Sequence, residues 1–463
     1  MKIKKLSIPS SFISICWFSS LFAICLFSFL YLHPRDNENC INILNFNESK
    51  TTINTSSKYF SNDTSSEKGV PIKENVNIST NNNNNSNNID IVEKNEVKLL
   101  NESSPFIEMP TKNEKIIEEE IIEEDDDNII PSYDVFANPP SNCTKEERII
   151  WLKEKLQESK LVKSTSKTQN FEEKIQGFLG NNCKVKIFLT WIFHANLFGK
   201  REMFVLESIL KAHHDGGCVV ILSRTMDSNP GRAVLQPVLD RGYRVLALAP
   251  DYQYLFSDTP GQGWLERLNA GEVDPGTVPI TLNLSNLLRL AVLYKYGGVY
   301  FDNDMVILKD VSKLRNTIGI QSVDRKTGTW RTMSNAMLSF DKGHPLLWRF
   351  MEEFAWNFDG FKWGFNGPNL ATRVVSKALN DSKYQFNLIA PIAFFPIDWK
   401  KIPQLFEKPN KNGPKDKFGE INGESYGIHL WNRQTQSLKI QNKSVIGRLI
   451  SKHCIICQNI YDS

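Results

Sequence analysis

Residues 286–308 read N-L-L-R-L-A-V-L-Y-K-Y-G-G-V-Y-F-D-N-D-M-V-I-L, and the fold is decided here. Leu287, Leu288, Ala291, Val292, Tyr294 and Tyr296 recur at a spacing that predicts a helix with one buried face. Gly297-Gly298 ends it, because glycine tolerates the left-handed conformation of a helix C-cap. Residues 299–301 then read as a short buried strand. Asp302-Asn303-Asp304 sits at the strand's C-terminal end, and 305–308 is apolar again. In an open α/β sheet that edge is where ligands bind. Two carboxylates so placed can share one hard cation, Mg²⁺ or Mn²⁺, through oxygen ligands. A bare D-x-D is an ordinary strand-to-turn corner. The helix, the glycine pair and the strand preceding it in that order make it a candidate site.

Around this centre, strands alternate with helices. Residues 145–158 form an amphipathic entry helix. A first strand over 184–189 ends in Thr190-Trp191. A helix over 201–214 carries Met203, Leu206, Ile209 and Leu210 on one face. Residues 218–222 are a second buried strand, 231–241 a short helix, and 243–248 a third strand stopped before Pro250. This order predicts an α/β fold with a mostly parallel sheet and helices on both faces. Beyond the D-x-D, 318–322 and 336–340 read as strands and 346–358 as a helix. Its aromatics Trp348, Phe350, Phe354, Trp356 and Phe358 are chiefly core, with a minority available to an acceptor groove. Gly367-Pro368-Asn369 opens a helix over 370–379, whose first N–H groups are free to bind an anion. Residues 426–432 read as a strand. His213-His214-Asp215 before Gly216-Gly217 reads as a helix C-terminus that complements the dipole, not as a pair of metal ligands.

The 463 residues carry a net charge of +3, too small to suggest a nucleic-acid partner. Eight cysteines are too few for a disulfide scaffold. Cys16 and Cys25 fall in an apolar run. Cys40, Cys143, Cys183, Cys218, Cys454 and Cys457 are left for a compartment where disulfides form. A lone Cys454-x-x-Cys457 reads as a disulfide or as free thiols, since zinc would want a second pair. Lys2, Lys4 and Lys5 precede an uncharged apolar run over 12–32, long enough to cross a bilayer core of roughly 30 Å. The lysines set residues 1–11 on the cytoplasmic side and the rest in the lumen. Residues 33–140, with the polyasparagine tract 81–85 and the acidic runs 118–120 and 123–127, read as a disordered stem. Sequons at Asn47, Asn54, Asn62, Asn77, Asn84 and Asn101 lie in it. Asn142, Asn283, Asn380 and Asn442 add four in the folded part, 141–463.

The helix with Arg289 followed by G-G-x-Y-x-D-x-D resembles the glycosyltransferases that have a sugar-binding D-x-D region. The nearest group in that resemblance is the α-1,4-galactosyltransferases and α-1,4-N-acetylglucosaminyltransferases. It extends over 184–457. Residues 184–310 correspond to the sugar-binding region, and 325–457 to the group's C-terminal region. Arg289, the glycine pair and D-x-D, Gly367-Pro368 and the closing H-x-W element at His429 carry it. The resemblance implies a GT-A-like, Rossmann-type enzyme of the Golgi membrane, single-pass type II, with its catalytic domain in the lumen. It also implies a UDP-sugar donor, a glycan or glycolipid acceptor, Mn²⁺ or Mg²⁺, and retention of anomeric configuration. It places Thr190, Trp191, Gly367, Pro368 and Asn369 beside the donor, with Trp191 equally readable as core. Where many relatives have Asp three residues before the arginine, this chain has Asn286, which donates and accepts hydrogen bonds but is no anion.

The expected chemistry follows from those residues. Asp304, and Asp302 directly or through water, hold the metal across the diphosphate. Asp302 also reaches the ribose, with Asn303 beside it. Arg289 faces the sugar or diphosphate, or else forms a structural ion pair. His429 completes the metal site, or else is a core histidine. No nucleophile stands out, so same-face substitution follows from the resemblance. Two other classes of function are to be weighed. One is a catalytically silent member that binds a glycan or a partner enzyme. The other is a metal-dependent phosphohydrolase, which would want more carboxylates and for which no P-loop exists.

Overall fold

The computed structural model describes residues 142–458, except 160, 181, 325 and 410–415. The expected cytoplasmic tail, membrane anchor and stem lie outside the described residues. Among the described residues, no helix is long and apolar enough to cross a membrane.

The chain enters through α1 (Lys145–Ser159) and α2 (Phe171–Leu179). It then alternates through β1 (Val185–Thr190), α3 (Lys200–Ala212), β2 (Gly217–Leu222), α4 (Asn229–Leu239) and β3 (Val245–Leu248). Helices α5 (Pro260–Ala270) and α6 (Ile280–Tyr296) lead to β4 (Gly298–Phe301). After β4 come β5 (Met305–Ile307), β6 (Thr317–Val323), β7 (Trp330–Phe340), α7 (Pro345–Trp356) and α8 (Pro368–Ala378). The short strands β8 (Asn387–Ile389) and β9 (Gly427–His429) and helix α9 (Val445–His453) close the order.

The main sheet runs β3-β2-β1-β4-β7-β6-β8. β1 is parallel to both β2 and β4, β2 is parallel to β3, and β6 is parallel to β8. β7 is antiparallel to β4 and β6, because β6 and β7 are joined by a short turn and a parallel pair would need a long crossover. Chain order reverses at β1: β2 and β3 lie on one side of it and β4 on the other. The crevice outside the C-terminal ends of β1 and β4 is therefore the switch point of the sheet. Side chains alternate across the strands and feed two cores. Phe188, Val220, Leu222, Tyr300 and Leu338 enter one, and Ile187, Leu189, Val219, Val299 and Phe301 the other.

Helix α6 is buried nearly all round, and it begins at Ile280, ahead of the predicted start, because Ile280 and Leu284 also enter the core. Gly297 ends it at φ 63°, and Gly298 follows at φ 118°. A Cβ on Gly298 would stand 2.5 Å from the Lys186 carbonyl, so only glycine lets β4 settle against β1. A separate two-stranded ribbon pairs β5 with β9, setting Met305 opposite His429. Disulfides link Cys183 to Cys218 and Cys454 to Cys457, which settles the second pair as oxidised.

Two expectations change on contact with the structure. His213 is buried, and the Val311 N–H donates to its Nε2 at 3.1 Å. The ring proton therefore sits on Nδ1 and is donated to the Ile209 carbonyl at 2.9 Å. Burial pushes the imidazole below its usual pKa, although the Ile209 carbonyl and Asp310 favour the charged form. His213 is thus a neutral core residue, not a charge at a helix end. Asn283 is also buried, in the first turns of α6, and its Oδ1 accepts from Asn366 Nδ2 at 2.9 Å. That removes it from the sequons open to a glycan on the folded chain. The α7 aromatics follow expectation: Phe350 and Phe354 are core while Trp356 is largely exposed.

His213 carries a pH prediction. A histidine whose folded pKa lies below its unfolded value of about 6.5 leaves the unfolded chain to bind the proton first, so stability falls as pH drops below about 6.5. His453, which burial pushes down to about 4, acts with the same sign. The melting temperature is expected to fall between pH 7 and pH 5. His213→Gln keeps one donor and one acceptor without titrating, and should flatten that fall. Equal slopes in the two proteins would place the acid sensitivity elsewhere.

Candidate active site

The D-x-D lies at the C-terminal end of β4, on the switch-point crevice. Its first carboxylate is held by a chain of hydroxyls whose polarity can be worked out. Tyr300 Oη donates its one proton to Asp302 Oδ1 at 2.9 Å. Its bond with Thr190 Oγ1, 2.9 Å, must therefore run from Thr190 to Tyr300. Thr190 then accepts from Ser285 at 2.8 Å, and Ser285 Oγ accepts from Arg289 Nη2 at 3.1 Å. Arg289 closes the ring with an ion pair from Nη1 to Asp302 Oδ1 at 2.8 Å. It also donates from Nε to the Ser285 carbonyl and from Nη1 to the Asn335 carbonyl, and it lies over the Tyr300 ring at 4.4 Å. Burial and the nearby carboxylate push the Tyr300 phenol well above its usual range, and Arg289 opposes that.

Arg289 is thus buried and committed to Asp302, in the ion-pair alternative rather than facing an open cleft. Thr190 likewise spends its hydroxyl inside this chain of bonds. The two side-chain contacts to the Asp302 carboxylate, from Tyr300 and Arg289, both end on Oδ1. Oδ2 has no protein partner among the described residues.

The second carboxylate is drawn the other way. Asp304 Oδ2 accepts from the Asn432 N–H at 2.8 Å, and Oδ1 lies 3.1 Å from His429 Nε2. Burial opposes ionisation of Asp304, but His429 and the Asn432 N–H together hold its carboxyl below the usual range. Burial also opposes a charge on His429, yet Asp304 beside it raises the imidazole. The β5–β9 ribbon makes this meeting possible: Met305 pairs with His429, and the Leu430 N–H donates to the Asp304 carbonyl at 2.8 Å. Ile428 and Leu430 are buried on the far side, which turns His429 toward the carboxylates.

Asp302, Asp304 and His429 each offer a ligand atom, and the three atoms lie within 4.8 Å of one another. Two carboxylate oxygens and one imidazole nitrogen fit a divalent ion such as Mn²⁺, with positions left for substrate oxygens. His429 Nδ1 is buried without a partner among the described residues, so packing orients the ring. Trp431 meets it edge-on at 4.2 Å and Phe395 lies at 5.8 Å. Glu202, which the sequence did not single out, caps α3 by accepting from the Gly199 N–H at 3.0 Å. Burial, with Asp304 adding repulsion, raises its carboxyl above the ordinary value.

The remaining expected residues form the other rim. Asn286 Oδ1 accepts from Asn335 Nδ2 at 2.7 Å, and Gly367 packs on this amide pair, where a Cβ would come within 3.0 Å of Asn286 Oδ1. Pro368 begins α8 beside it, and Asn369 is exposed. Asn303 turns back to donate to the Thr190 carbonyl. Trp191 is buried at the end of β1 and lines a cavity of about 30 Å³ with Ser223, Arg224, Pro250 and Tyr252, at the C-terminal edges of β1–β3. Sequence reasoning passed over Ser285, Tyr300, Asn335 and Asn432. Ser285 was within reach, since it stands one helical turn before Arg289.

Comparison with known proteins matches two family models to the folded part of the chain. Residues 339–461 match the model of the "Alpha 1,4-glycosyltransferase conserved region". Residues 199–324 match that of the "Glycosyltransferase sugar-binding region containing DXD motif". The chain is 30% identical over 268 residues to the lactosylceramide 4-alpha-galactosyltransferase of Rattus norvegicus, covering 54% of this chain and 69% of that protein. It is 27% identical over 220 residues to the alpha-1,4-N-acetylglucosaminyltransferase of Homo sapiens, covering 44% and 58%. An uncharacterised Arabidopsis thaliana protein is 30% identical over 296 residues, and this chain spans only 44% of its length. Among solved structures, the PaToxG glycosyltransferase overlaps 47% of this chain and 81% of its own at 17% identity. Its TM-score of 0.32 is too low to carry any statement about the site.

Proposed function

The chain belongs to the α-1,4-glycosyltransferase family, and from that premise we propose that it is a metal-dependent retaining hexosyltransferase. It takes galactose or N-acetylglucosamine from a UDP-sugar and places it in α linkage on a glycan or glycolipid. The observation that carries this reading is the convergence of Asp302, Asp304 and His429 at the end of β4. We place the work in the Golgi lumen, within a catalytic domain of GT-A type over 141–463 behind an N-terminal anchor. The Cys183–Cys218 and Cys454–Cys457 disulfides support an oxidising compartment.

The division of labour follows from the geometry. Mn²⁺ or Mg²⁺ held by Asp302, Asp304 and His429 would neutralise the diphosphate as it leaves. Arg289 and Tyr300 fix Oδ1 of Asp302, which leaves Oδ2 to face the donor. The uracil and ribose lie over the C-terminal edges of β1–β3, toward Trp191. The sugar lies toward Asn286 and the α8 N-terminus at Gly367-Pro368-Asn369. Asn286 keeps its Nδ2 for a sugar hydroxyl, because its Oδ1 is occupied by Asn335. As the family resemblance implies, the acceptor hydroxyl attacks from the leaving group's own face. Its proton passes to the departing phosphate oxygen.

The test is UDP release from UDP-galactose and UDP-N-acetylglucosamine, with and without Mn²⁺. Release by neither donor in the presence of metal and a saccharide acceptor would refute the reading. His429 gives a narrower prediction. His429→Gln should raise the Mn²⁺ concentration for half-maximal activity tenfold or more, because an imidazole ligand is lost. The melting temperature of the metal-free protein should move much less. A large loss of stability with unchanged metal dependence would make His429 a core residue only.

A further inference from the structure

Beside His429, on the far side of Trp431, a groove of about 550 Å³ opens between the β6–β7 hairpin and the loop at 397–399. Its shape comes from broken strand regularity. The β6–β7 register shifts between Ile320 and Ser322 and again between Ser322 and Val323. A regular strand would turn every second side chain away, but Gln321, Ser322 and Val323 all line the groove. Trp431, at its inner end, holds φ 57°, which is costly for a bulky residue and persists only where its surroundings enforce it. That turn sets the indole against His429, and its Nε1 has no partner among the described residues. Trp399, at the outer end, is 40% exposed.

Two indoles offer apolar surface, and the Lys400 ammonium lies 5.2 Å from the centre of the Trp399 ring. Asp324, Asp398, Lys326 and Arg331 offer hydrogen-bonding groups of both signs around them. Two carboxylates stand among the three cations Lys326, Arg331 and Lys400, a mixed surface that offers hydrogen-bonding groups of either sign and suits a neutral polyhydroxyl ligand. A saccharide ring has that character, with C–H groups on its faces and hydroxyls at its rim. Apolar walls with a few polar groups to fix orientation are the usual makeup of a small-molecule site.

We propose that this groove binds the acceptor, a neutral oligosaccharide. The sugar that receives the transfer lies over Trp431, beside the D-x-D, and the next lies against Trp399. The assignment rests on the glycosyltransferase reading of the D-x-D site. It adds the acceptor's path and its chemical class: the groove reads sugar, and a lipid tail, where one exists, lies outside it.

The experiment uses the full chain in detergent. Saturation-transfer NMR with lactose, N-acetyllactosamine and cellobiose as probes, in the presence of UDP and Mn²⁺, reports binding. Steady-state kinetics report the acceptor KM. Trp399→Ala is expected to weaken the best disaccharide tenfold or more and to raise its KM equally. kcat, the KM for the donor and donor hydrolysis without acceptor should stay within twofold. Trp399→Phe should recover most of the loss, and Asp398→Asn should show a smaller loss of the same kind. The same disaccharide on a lipid tail should show the same change. Disaccharide affinity within twofold of wild type in both Trp399→Ala and Asp398→Asn would overturn the proposal. So would a wild type that binds none of the probes, or a loss confined to the lipid-linked form. If no nucleotide sugar is turned over but disaccharide binding still depends on Trp399, the transfer reading fails and the groove stands.

Discussion

Asp304→Asn is expected to lower metal-dependent turnover by about 10³-fold or more while leaving the fold in place. The amide is the same size and its oxygen can still accept from the Asn432 N–H, so the ribbon geometry survives. What disappears is the charge. The carboxylate sits in a largely buried position with its ionised form stabilised, which is the state a metal ligand needs. Losing an anionic ligand removes transition-state charge stabilisation of several kcal/mol, and about 4 kcal/mol already corresponds to roughly 10³ in rate. Initial rates at saturating Mn²⁺, with a melting curve on the same sample, check this. Near-normal turnover with a normal melting profile would remove Asp304 from the chemistry.

Arg289→Ala is expected to be the most destabilising change in the site. The guanidinium serves Asp302, the Ser285 carbonyl and hydroxyl, and the Asn335 carbonyl. Removing it leaves a part-buried carboxylate and several acceptors without their donor, a loss of roughly 3–5 kcal/mol for breaking a buried pair. In a domain of this size that corresponds to a fall in melting temperature on the order of 10 °C. Arg289→Lys should recover only part of it, because an ammonium cannot span the fork of partners that a planar guanidinium reaches. Thermal unfolding followed by circular dichroism measures both variants. A shift of about 2 °C or less for Arg289→Ala would show that the guanidinium is not holding the site together. Turnover should fall as well, since Asp302 loses the contact that orients it.

The difference between the two variants marks where sequence reading succeeds. Periodicity located α6, the glycine pair located its end, and the apolar runs located β1 to β4, because those signals are local. The D-x-D was legible for the same reason. The direction in which Arg289 points was not, since the donor and a structural ion pair were both open and only the packed helix chooses between them. Thr190 was placed beside the donor by the family resemblance. Its hydroxyl in fact faces inward, to Tyr300 and Ser285. Buried His213 and Asn283 misled for a related reason: residue type suggested a surface role that their helix faces deny. The groove at Trp399 was invisible, because shifts in strand register leave no mark in the alternation of residues. His429 could be assigned only through resemblance. The meeting of Asp304 with Asn432 spans 128 positions, and no short-range pattern reports it.

That long span also governs how the molecule comes into being. A nascent chain that has emerged through β4 already carries both carboxylates. It has neither the imidazole nor the backbone N–H that seats the second of them, because both arrive with the β9 segment. A message that stops short of residue 427 therefore yields a chain with an intact D-x-D whose second carboxylate lacks both of its partners, the His429 imidazole and the Asn432 N–H. Loop-closure entropy must be met before contacts so distant in the chain can form, so the β5–β9 ribbon should be among the last pairings to close. On the proposed function, competence then follows completion of the chain, because the site at the D-x-D is assembled only when the β9 segment arrives.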